Sequence, residues 1–480
     1  MRKTRIGYKS FGRASLAYGL DLCLKRIAHI ESIELVSVSA HNAKSCDVLL
    51  LSIYWWQHLY DYMEFLTDAG LNPKTRKPLI VIGGFQSFNF TPLGNLYHYA
   101  CIGDGEEWLP KFIEAYLRDG DIESIDGVSW PGKKGATVWQ NAAFSPMSMR
   151  EPGQHITRIE IARGCRYRCK FCALTYLKQY REGDVEKVNN LISEADTKTV
   201  ALFAPDRTSH SDYSKIQQHL EDVGKSDIAS DVRLDTLKGS MKTPNHLRMG
   251  IEGVSYRLRR AVGKNYTNED ILEVFRDAVN KSENKRGIHF YLVLDLPGEQ
   301  DCDYDELLYI FNTINDWPEA ERLTLIPFPN VFLPNPLTPL QWGGVNIFTD
   351  FGKKYRKISR ASKRWNFVLA ENIRMWGPLQ RLKSLVAVRG DERSTNIIYN
   401  IVHNKKLKSD LIGSSRRGAE ILMKFCEKNG YMEKELCGEL SVEESLPWDN
   451  IQTHVRKDVI MKSWKHYKRT MGMTWEASRQ

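Results

Sequence analysis

The sequence predicts an α/β protein in three parts. A doubly wound parallel sheet is expected over residues 1–150, a partial β/α barrel of six strands over 151–345, and a mostly helical region over 346–480. Three observations carry this. Short apolar runs alternate with helical periodicity as far as about Val345, the pattern of parallel sheets covered by helices. The alternation breaks once, at Asp126–Gln140, where Pro131-Gly132 and Gly135 mark a hairpin or linker. At 480 residues the chain exceeds one ordinary core and suits two or three domains.

In the first part the expected strands are Arg5–Tyr8, Ile33–Val38, Asp47–Tyr54, Pro78–Ile82 and Tyr99–Ile102. Helices are expected over Ala14–Ile27, His58–Ala69 and Trp108–Leu117. Two glycine turns follow strand ends, Gly83-Gly84 and Gly103-Asp104-Gly105-Glu106. Such turns admit a ligand at the carboxyl edge of a sheet, or they simply close tightly. In the second part strands fit Arg158–Ala162, Thr199–Ala204, Val232–Asp235, Met249–Glu252, Ile288–Leu294 and Leu323–Ile326. Helices fit Asp184–Ser193, Tyr213–Val223, Ser255–Val262, Asn268–Val279 and Tyr304–Asn315, so chemistry is expected at the C-terminal ends of the strands. Farther on, Arg416–Lys428 and Val455–Arg469 read as helices, and there is no internal repeat or low-complexity tract.

Composition is that of a globular protein, 42% hydrophobic and 26% charged. No apolar run of about 20 residues suggests a membrane span, and the basic start, Met1–Arg5, lacks the apolar core of a signal peptide. The expected compartment is the cytoplasm, with no membrane partner. Net charge is +9, and Phe351–Ser409 holds 15 Lys/Arg against Glu371, Asp391 and Glu392. That excess is either a nucleic-acid footprint or a solvated face.

Nine cysteines occur, and only Cys165, Cys169 and Cys172 cluster, as C-x3-C-x2-C after the first strand of the second series. Scattered thiols in odd number do not describe a secreted disulfide framework. Thiolate is the usual ligand of a [4Fe–4S] cube, and three thiolates in one loop leave one iron open. An open iron can chelate the amino and carboxylate groups of S-adenosylmethionine (SAM) and donate one electron. The sulfonium C–S bond then breaks to give a 5′-deoxyadenosyl radical. Gly164 permits close approach, Arg163, Arg166, Arg168 and Lys170 offset negative charge, and Phe171 offers an aromatic beside adenine. Structural zinc is the competing reading, but it commonly closes its ligand set with a second C-x2-C pair, which is absent here.

At these residues the chain resembles the radical SAM superfamily, and within it the members with an N-terminal cobalamin-binding domain. Gly103-Asp104-Gly105-Glu106 resembles the turn ending the last strand of that domain. Gly250-Ile251-Glu252-Gly253 with Ser255 and Arg257–Arg259 resembles the SAM-ribose strand and its helix. Tyr291–Glu299 resembles the fifth barrel strand and its Gly-Leu-Pro-Gly-Glu turn, with Asp295 at the usual glycine. Pro334–Trp342 resembles the sixth-strand exit, and Arg389–Arg393 and Leu446–Asp449 resemble C-terminal blocks.

The resemblance implies a [4Fe–4S] cluster on Cys165, Cys169 and Cys172. It implies SAM contacts from Glu252 to the ribose and from Ser255 or Arg233 to the methionine end, with Phe171 beside the adenine. Asp206, in Pro205-Asp206-Arg207, matches the family's SAM-amine position poorly. Cobalamin is expected over Ser52, Gly83, Gly84, Gly103, Gly105 and Glu106, with Tyr54-Trp55-Trp56 near the corrin ring. No Asp-x-His-x-x-Gly supplies a lower cobalt ligand, a departure that leaves room for a domain without its cofactor.

The activity implied first is cobalamin-dependent methyl transfer to an unactivated carbon, one SAM methylating the cobalamin and a second supplying the radical. The alternative is a rearrangement, cyclisation or sulfur insertion with a vestigial cobalamin domain. Sulfur insertion usually needs a second cluster, and Cys23, Cys46 and Cys101 are far apart in sequence. A cluster-binding protein that does not cleave SAM fits less well, because SAM-site blocks accompany the cysteines. The expected partners are a flavodoxin- or ferredoxin-type reductant and a macromolecular substrate, RNA or a polypeptide. The last expectation rests on the cations of Lys353–Lys408, interleaved with Tyr355, Trp365, Phe367 and Trp376.

Overall fold

The structure, a computed structural model, describes residues 2–12, 18–150, 155–228, 231–237, 247–281, 285–370, 377–412 and 415–473. Apolar runs make a first sheet from β1 (Thr4–Ser10), β2 (Ile33–Ser37), β3 (Val48–Ser52), β4 (Leu79–Gly83), β5 (Tyr99–Cys101) and β6 (Val128–Ser129). The order is β2-β1-β3-β4-β5-β6, parallel through β5, with β6 antiparallel at the edge. The period of two is legible in the packing. Leu49, Leu51, Ile80 and Ile82 face the helix His58–Asp68, while Val48, Leu50, Leu79 and Val81 face Tyr18–Ile27 and Trp108–Leu117. Register places Ser10 opposite Ser52 and Ser52 opposite Gly83, so three carboxyl ends finish level.

The stretch 126–140 does not form a hairpin with itself. Its strand β6 returns to β5, and β7 (Thr137–Val138) pairs with a strand near the C-terminus. Next, β8 (Met147–Met149) lies antiparallel on β9 (Ile156–Glu160). The short strands β10 (Ala162–Arg163) and β11 (Arg181–Glu182) pair with each other. Beyond them β12 (Thr199–Phe203) and β13 (Ser226–Asp227) continue parallel to β9. A second parallel sheet follows: β14 (Asp231–Val232), β15 (Leu247–Glu252), β16 (Arg286–Leu294), β17 (Leu323–Val331) and β18 (Val368–Leu369). In β16, Ile288, Phe290 and Leu292 are buried, and Phe290 meets Phe275 and Phe311 of the flanking helices. His289 and Tyr291 take the opposite face and both lie against Phe328.

The expected strand Val232–Asp235 is corrected: pairing ends at Val232, and Leu234–Leu237 turns into a short helix. Added to the expected set is β18, which joins the barrel edge from beyond residue 345.

The C-terminal region is helical, with Phe351–Ser362, Pro378–Val388, Ser394–His403, Lys405–Leu411, Ser415–Lys428, Glu433–Cys437 and Lys457–Thr470, and β19 (Ile451–Gln452), ahead of the last helix, pairs with β7. It fastens the other parts together. Asn89 donates to the carbonyls of Val388 and Gly390 at 3.0 Å each. The fully buried Arg389 donates to Leu436, Gly438, Gln341 and Gly343 carbonyls at 2.6–3.2 Å. One hydrophobic core runs through all three stretches. Among the described residues no helix is long and apolar enough to cross a membrane.

The described aromatics of the basic stretch, Tyr355, Trp365 and Phe367, pack in or against the core, which corrects their reading as stacking platforms. Tyr355 and Phe367 are buried, and Trp365 stacks on Phe367 at 5.0 Å and meets Phe311 edge-on. An amphipathic helix must bury its apolar stripe, and here the stripe lies on Asp303–Asn315. Lys354 and Lys357 pair with Glu299 and Asp305, and Arg381 is buried. Trp376 and Glu371 lie outside the described residues.

Candidate functional site

The cysteines occupy a loop whose base is closed by the β10–β11 ladder, Arg163 opposite Arg181. The loop is held from outside itself. Thr175 donates to the Cys165 carbonyl at 2.9 Å, and the Lys170 N–H donates to Val262 at 2.9 Å. The block 334–342 grips the other end, with Asn335 donating to the Phe171 carbonyl and the Leu340 N–H to that of Lys170. Cys169 is buried, and Cys165 and Cys172 are partly exposed. Burial pushes the Cys165 thiol up to about 11 and the Cys172 thiol up to about 12, with Cys169 adding to both.

Around this loop the strand ends bring together several of the expected groups. Arg233, buried, donates to Cys169 Sγ at 3.6 Å, lies 3.6 Å over the Tyr167 ring, and pairs with Asp235 at 3.0 Å. Asp206, after β12, is buried; Thr208 donates to its Oδ1, while its Oδ2 is buried with no partner. Burial raises its pKa, and Arg233 pulls the other way. Glu252 ends β15 with φ +70 at a register shift, and Lys264 donates to it and to the Gly250 carbonyl at 2.9 Å each. Its charge is felt at Cys172. Ser255 is fully buried; it donates to Asp303 at 2.6 Å and caps the helix Tyr256–Val262 through the Leu258 N–H.

A separate cavity of about 450 Å³ lies between the carboxyl edge of the first sheet and this loop. That is the size range of ligand pockets, roughly 300–1,000 Å³. Ser52, Gly83, Gly84, Gly103, Gly105 and Glu106 all line it, opposite Arg163, Gly164, Leu174 and Phe203. Tyr54 lines it too and is close enough to Cys172 to feel its charge, whereas Trp55 is half exposed and Trp56 buried. Two of these glycines are dictated by protein contacts. A Cβ on Gly84 (φ +107) would lie 2.5 Å from the Ile53 carbonyl oxygen, and on Gly103 (φ +109) 2.4 Å from that of Gln140. Gly83 has room, its nearest neighbour being 3.5 Å away.

The acids of the glycine turn hold the cysteine loop. Asp104 pairs with Lys178 at 2.8 Å and Arg181 at 3.0 Å, and Glu106 pairs with Arg163. Arg163 also makes a two-pronged contact with Glu160 at 3.0 and 2.7 Å. Burial opposes the Asp104 charge, yet Lys178, Arg163 and Arg181 together pull its pKa down to about 2. Three acids thus meet three cations at the cavity wall. Alternating strands and loops carry no periodic signal for such a network; the abundance of cations around the cysteines was its one trace in the sequence.

These residues are of the kinds the expected groups need, although among the described residues no three His, Cys, Asp or Glu side chains stand close enough together to hold a single metal ion. Three thiols on one loop are a soft donor set suited to iron and sulfide. The unpartnered carboxylate oxygen of Asp206 offers a buried acceptor near Cys165, and the cavity offers an apolar chamber abutting the same loop.

Residues 159–308 match the family described as the radical SAM superfamily. Curated relatives include the ribosomal protein uS12 methylthiotransferase RimO of Prosthecochloris aestuarii, 21% identical over 42% of this chain and 49% of that protein, about half its length. Among solved structures, the radical SAM methyltransferase TsrM of Kitasatospora setae, with tryptophan and a SAM analogue, superposes with a TM-score of 0.51 at 12% identity. It covers 69% of this chain and 73% of TsrM. The cobalamin-dependent SAM radical enzyme OxsB, with aqua-cobalamin and SAM, superposes with a TM-score of 0.50 at 12% identity, covering 98% of this chain and 80% of OxsB. Residues 159–308 therefore form a radical SAM domain, a domain class that works with a [4Fe–4S] cluster and SAM.

Proposed function

We propose that this chain is a cobalamin-dependent radical SAM methyltransferase acting on an unactivated carbon. Residues 1–150 would form its cobalamin domain, 151–345 its radical SAM domain and 346–480 the helical brace. The observation that carries the reading is the cavity, which lies between the strand ends of the first sheet and the cysteine loop and lets two cofactors face each other. TsrM and OxsB, which share the fold, support it.

Cys165, Cys169 and Cys172 hold the cluster. Arg233 and Asp206 take the charged methionine end of SAM, Arg233 its carboxylate and Asp206 its ammonium. Glu252, fixed by Lys264, takes the ribose hydroxyls. Ser255 supports this strand end as a helix cap. Ser52, Gly83 and Tyr54 flank the corrin. When bound, the cluster supplies the electron that releases a 5′-deoxyadenosyl radical from SAM, and the cobalamin supplies the methyl group. The protein's part is to exclude water and hold the partners in register.

A second reading is methylthio transfer, favoured by the RimO relatives. Their match falls short of half of this chain. Cys23, on the helix Tyr18–Ile27, approaches Cys101 of β5 beside Gly105, while Cys46 lies against Gly7. The test is an anaerobic assay of reconstituted protein with and without hydroxocobalamin. The expected result is SAM cleavage to 5′-deoxyadenosine, uptake of cobalamin seen in the visible spectrum, and loss of cleavage in Cys165→Ala, Cys169→Ala and Cys172→Ala but not Cys302→Ala. Protein that cleaves SAM but never takes up cobalamin would move the assignment to the second reading.

A further inference from the structure

The cysteine loop has two sides. Its inner side, with Gly164 and Leu174, faces the cavity and is sealed against the first sheet by the Arg163, Lys178 and Arg181 ion pairs. Its outer side, Arg168 to Lys170, packs on the end of the helix Tyr256–Val262. There a Cβ on Gly263 would lie 3.2 Å from the Arg168 carbonyl oxygen, and Lys170 Nζ donates to the Ala261 carbonyl at 2.5 Å. The helix Lys457–Thr470 lies against the same place, with Lys170 Nζ 5.9 Å from the centre of the Tyr467 ring.

Arg260, His466 and Arg469 are exposed on this outer side. His466 feels Lys170, Arg469 and Arg260, which lower its pKa. Neither Arg260 nor Arg469 has a carboxylate partner among the described residues. This contrasts with the inner side, where every cation of the wall is paired. Unpaired cations set close together cost repulsion, which an anionic partner relieves.

From this we infer that the Arg260–Arg469 face, beside Lys170 of the cysteine loop, is the docking surface for an acidic one-electron carrier protein. The inference rests on the proposed cluster at Cys165, Cys169 and Cys172. Each reductive SAM cleavage consumes one electron, and with the inner side sealed the electron enters from the outer one. In the transfer the carrier is oxidised by one electron and the cluster reduced by one; no bond forms or breaks between the proteins. Complementary charge speeds such encounters and makes them sensitive to salt.

The test uses the reconstituted holoenzyme and a reduced flavodoxin as probe. In Arg260→Glu/Arg469→Glu, bleaching of the cluster's visible absorption by flavodoxin is expected to slow at least about tenfold at low ionic strength, with flavodoxin binding weakened by a similar factor. The milder Arg260→Gln/Arg469→Gln is expected to fall between this and the unaltered protein. Reduction by dithionite, a small reagent needing no docking, and the 5′-deoxyadenosine it yields are expected to be unchanged, which also shows that the variants fold. Unchanged bleaching by flavodoxin in both variants overturns the proposal. So does a result in which the substitutions abolish RNA binding and spare flavodoxin reduction. If the unaltered protein yields no 5′-deoxyadenosine even with dithionite, the underlying cluster reading has failed, and the docking surface falls with it.

Discussion

The two edges that meet at the cavity solve opposite problems. On the side of the first sheet, the acids are matched: Asp104 and Glu106 each find cations, and Gly84 and Gly103 are required by neighbouring backbone. On the barrel side, one acid is left waiting. Asp206 keeps a buried oxygen without a partner, and Glu252, although paired with Lys264, holds a left-handed backbone conformation, φ +70, that side chains seldom adopt. The contrast teaches that the first edge acts mainly as a wall that registers the cysteine loop. The second edge keeps one buried acceptor, Asp206 Oδ2, without a protein donor. The glycine turn, conspicuous in the sequence, belongs to the wall.

The sharpest way to break this comparison is Arg163→Met. It strands Glu106 and Glu160 in a buried setting, and removing one partner of a buried pair costs about 3–5 kcal/mol. Urea unfolding of the cluster-free protein measures it; a loss below about 1 kcal/mol would mean that the wall is hydrated and the contrast false. A smaller effect is expected from acid. The folded-state pKa of Asp104, about 2, lies below its ordinary value, so the pairing stabilises fully above about pH 4 and is lost as pH falls toward 2. The expected loss is about 2 kcal/mol, and Asp104→Asn should remove this part of the acid sensitivity, as read by unfolding at pH 5 and pH 2.5 (conditions of about two and a half units' span). The smallest effect tests the other edge and has the opposite sign for folding. Asp206→Asn is expected to leave stability unchanged or raise it, because burial already disfavours that carboxylate. SAM affinity, measured by equilibrium dialysis, is expected to fall about tenfold, or about 1.4 kcal/mol. Equal SAM affinity in the variant would remove Asp206 from the site.

Part of the expected site was legible in local spacing. The reading of Glu252 comes from the resemblance, whereas the cysteine loop and the glycine turns of the first sheet announce themselves because each is a short segment whose chemistry depends on near neighbours in the chain. The same holds for helices such as Trp108–Leu117 and Asn268–Asn280, whose apolar stripes repeat at the helical period. Less legible were elements whose identity is set by a distant partner. β18 is two residues long and exists because Thr324 and Leu325 offer an edge, and the helix at Leu234–Leu237 interrupts a run that reads as strand.

The amino-acid order settled the fold class, the cysteine donor set and the alternation of strands and helices, since periodicity and spacing act over a few residues. Folding in three dimensions settled what the order left open. It packed Tyr355, Trp365 and Phe367 in or against the core, matched Asp104 and Glu106 with cations 57 to 77 positions along the chain, and left Asp206 unmatched. Burial and ion pairing depend on which surfaces come together, and no local pattern encodes the charge that will face a given carboxylate across a domain boundary.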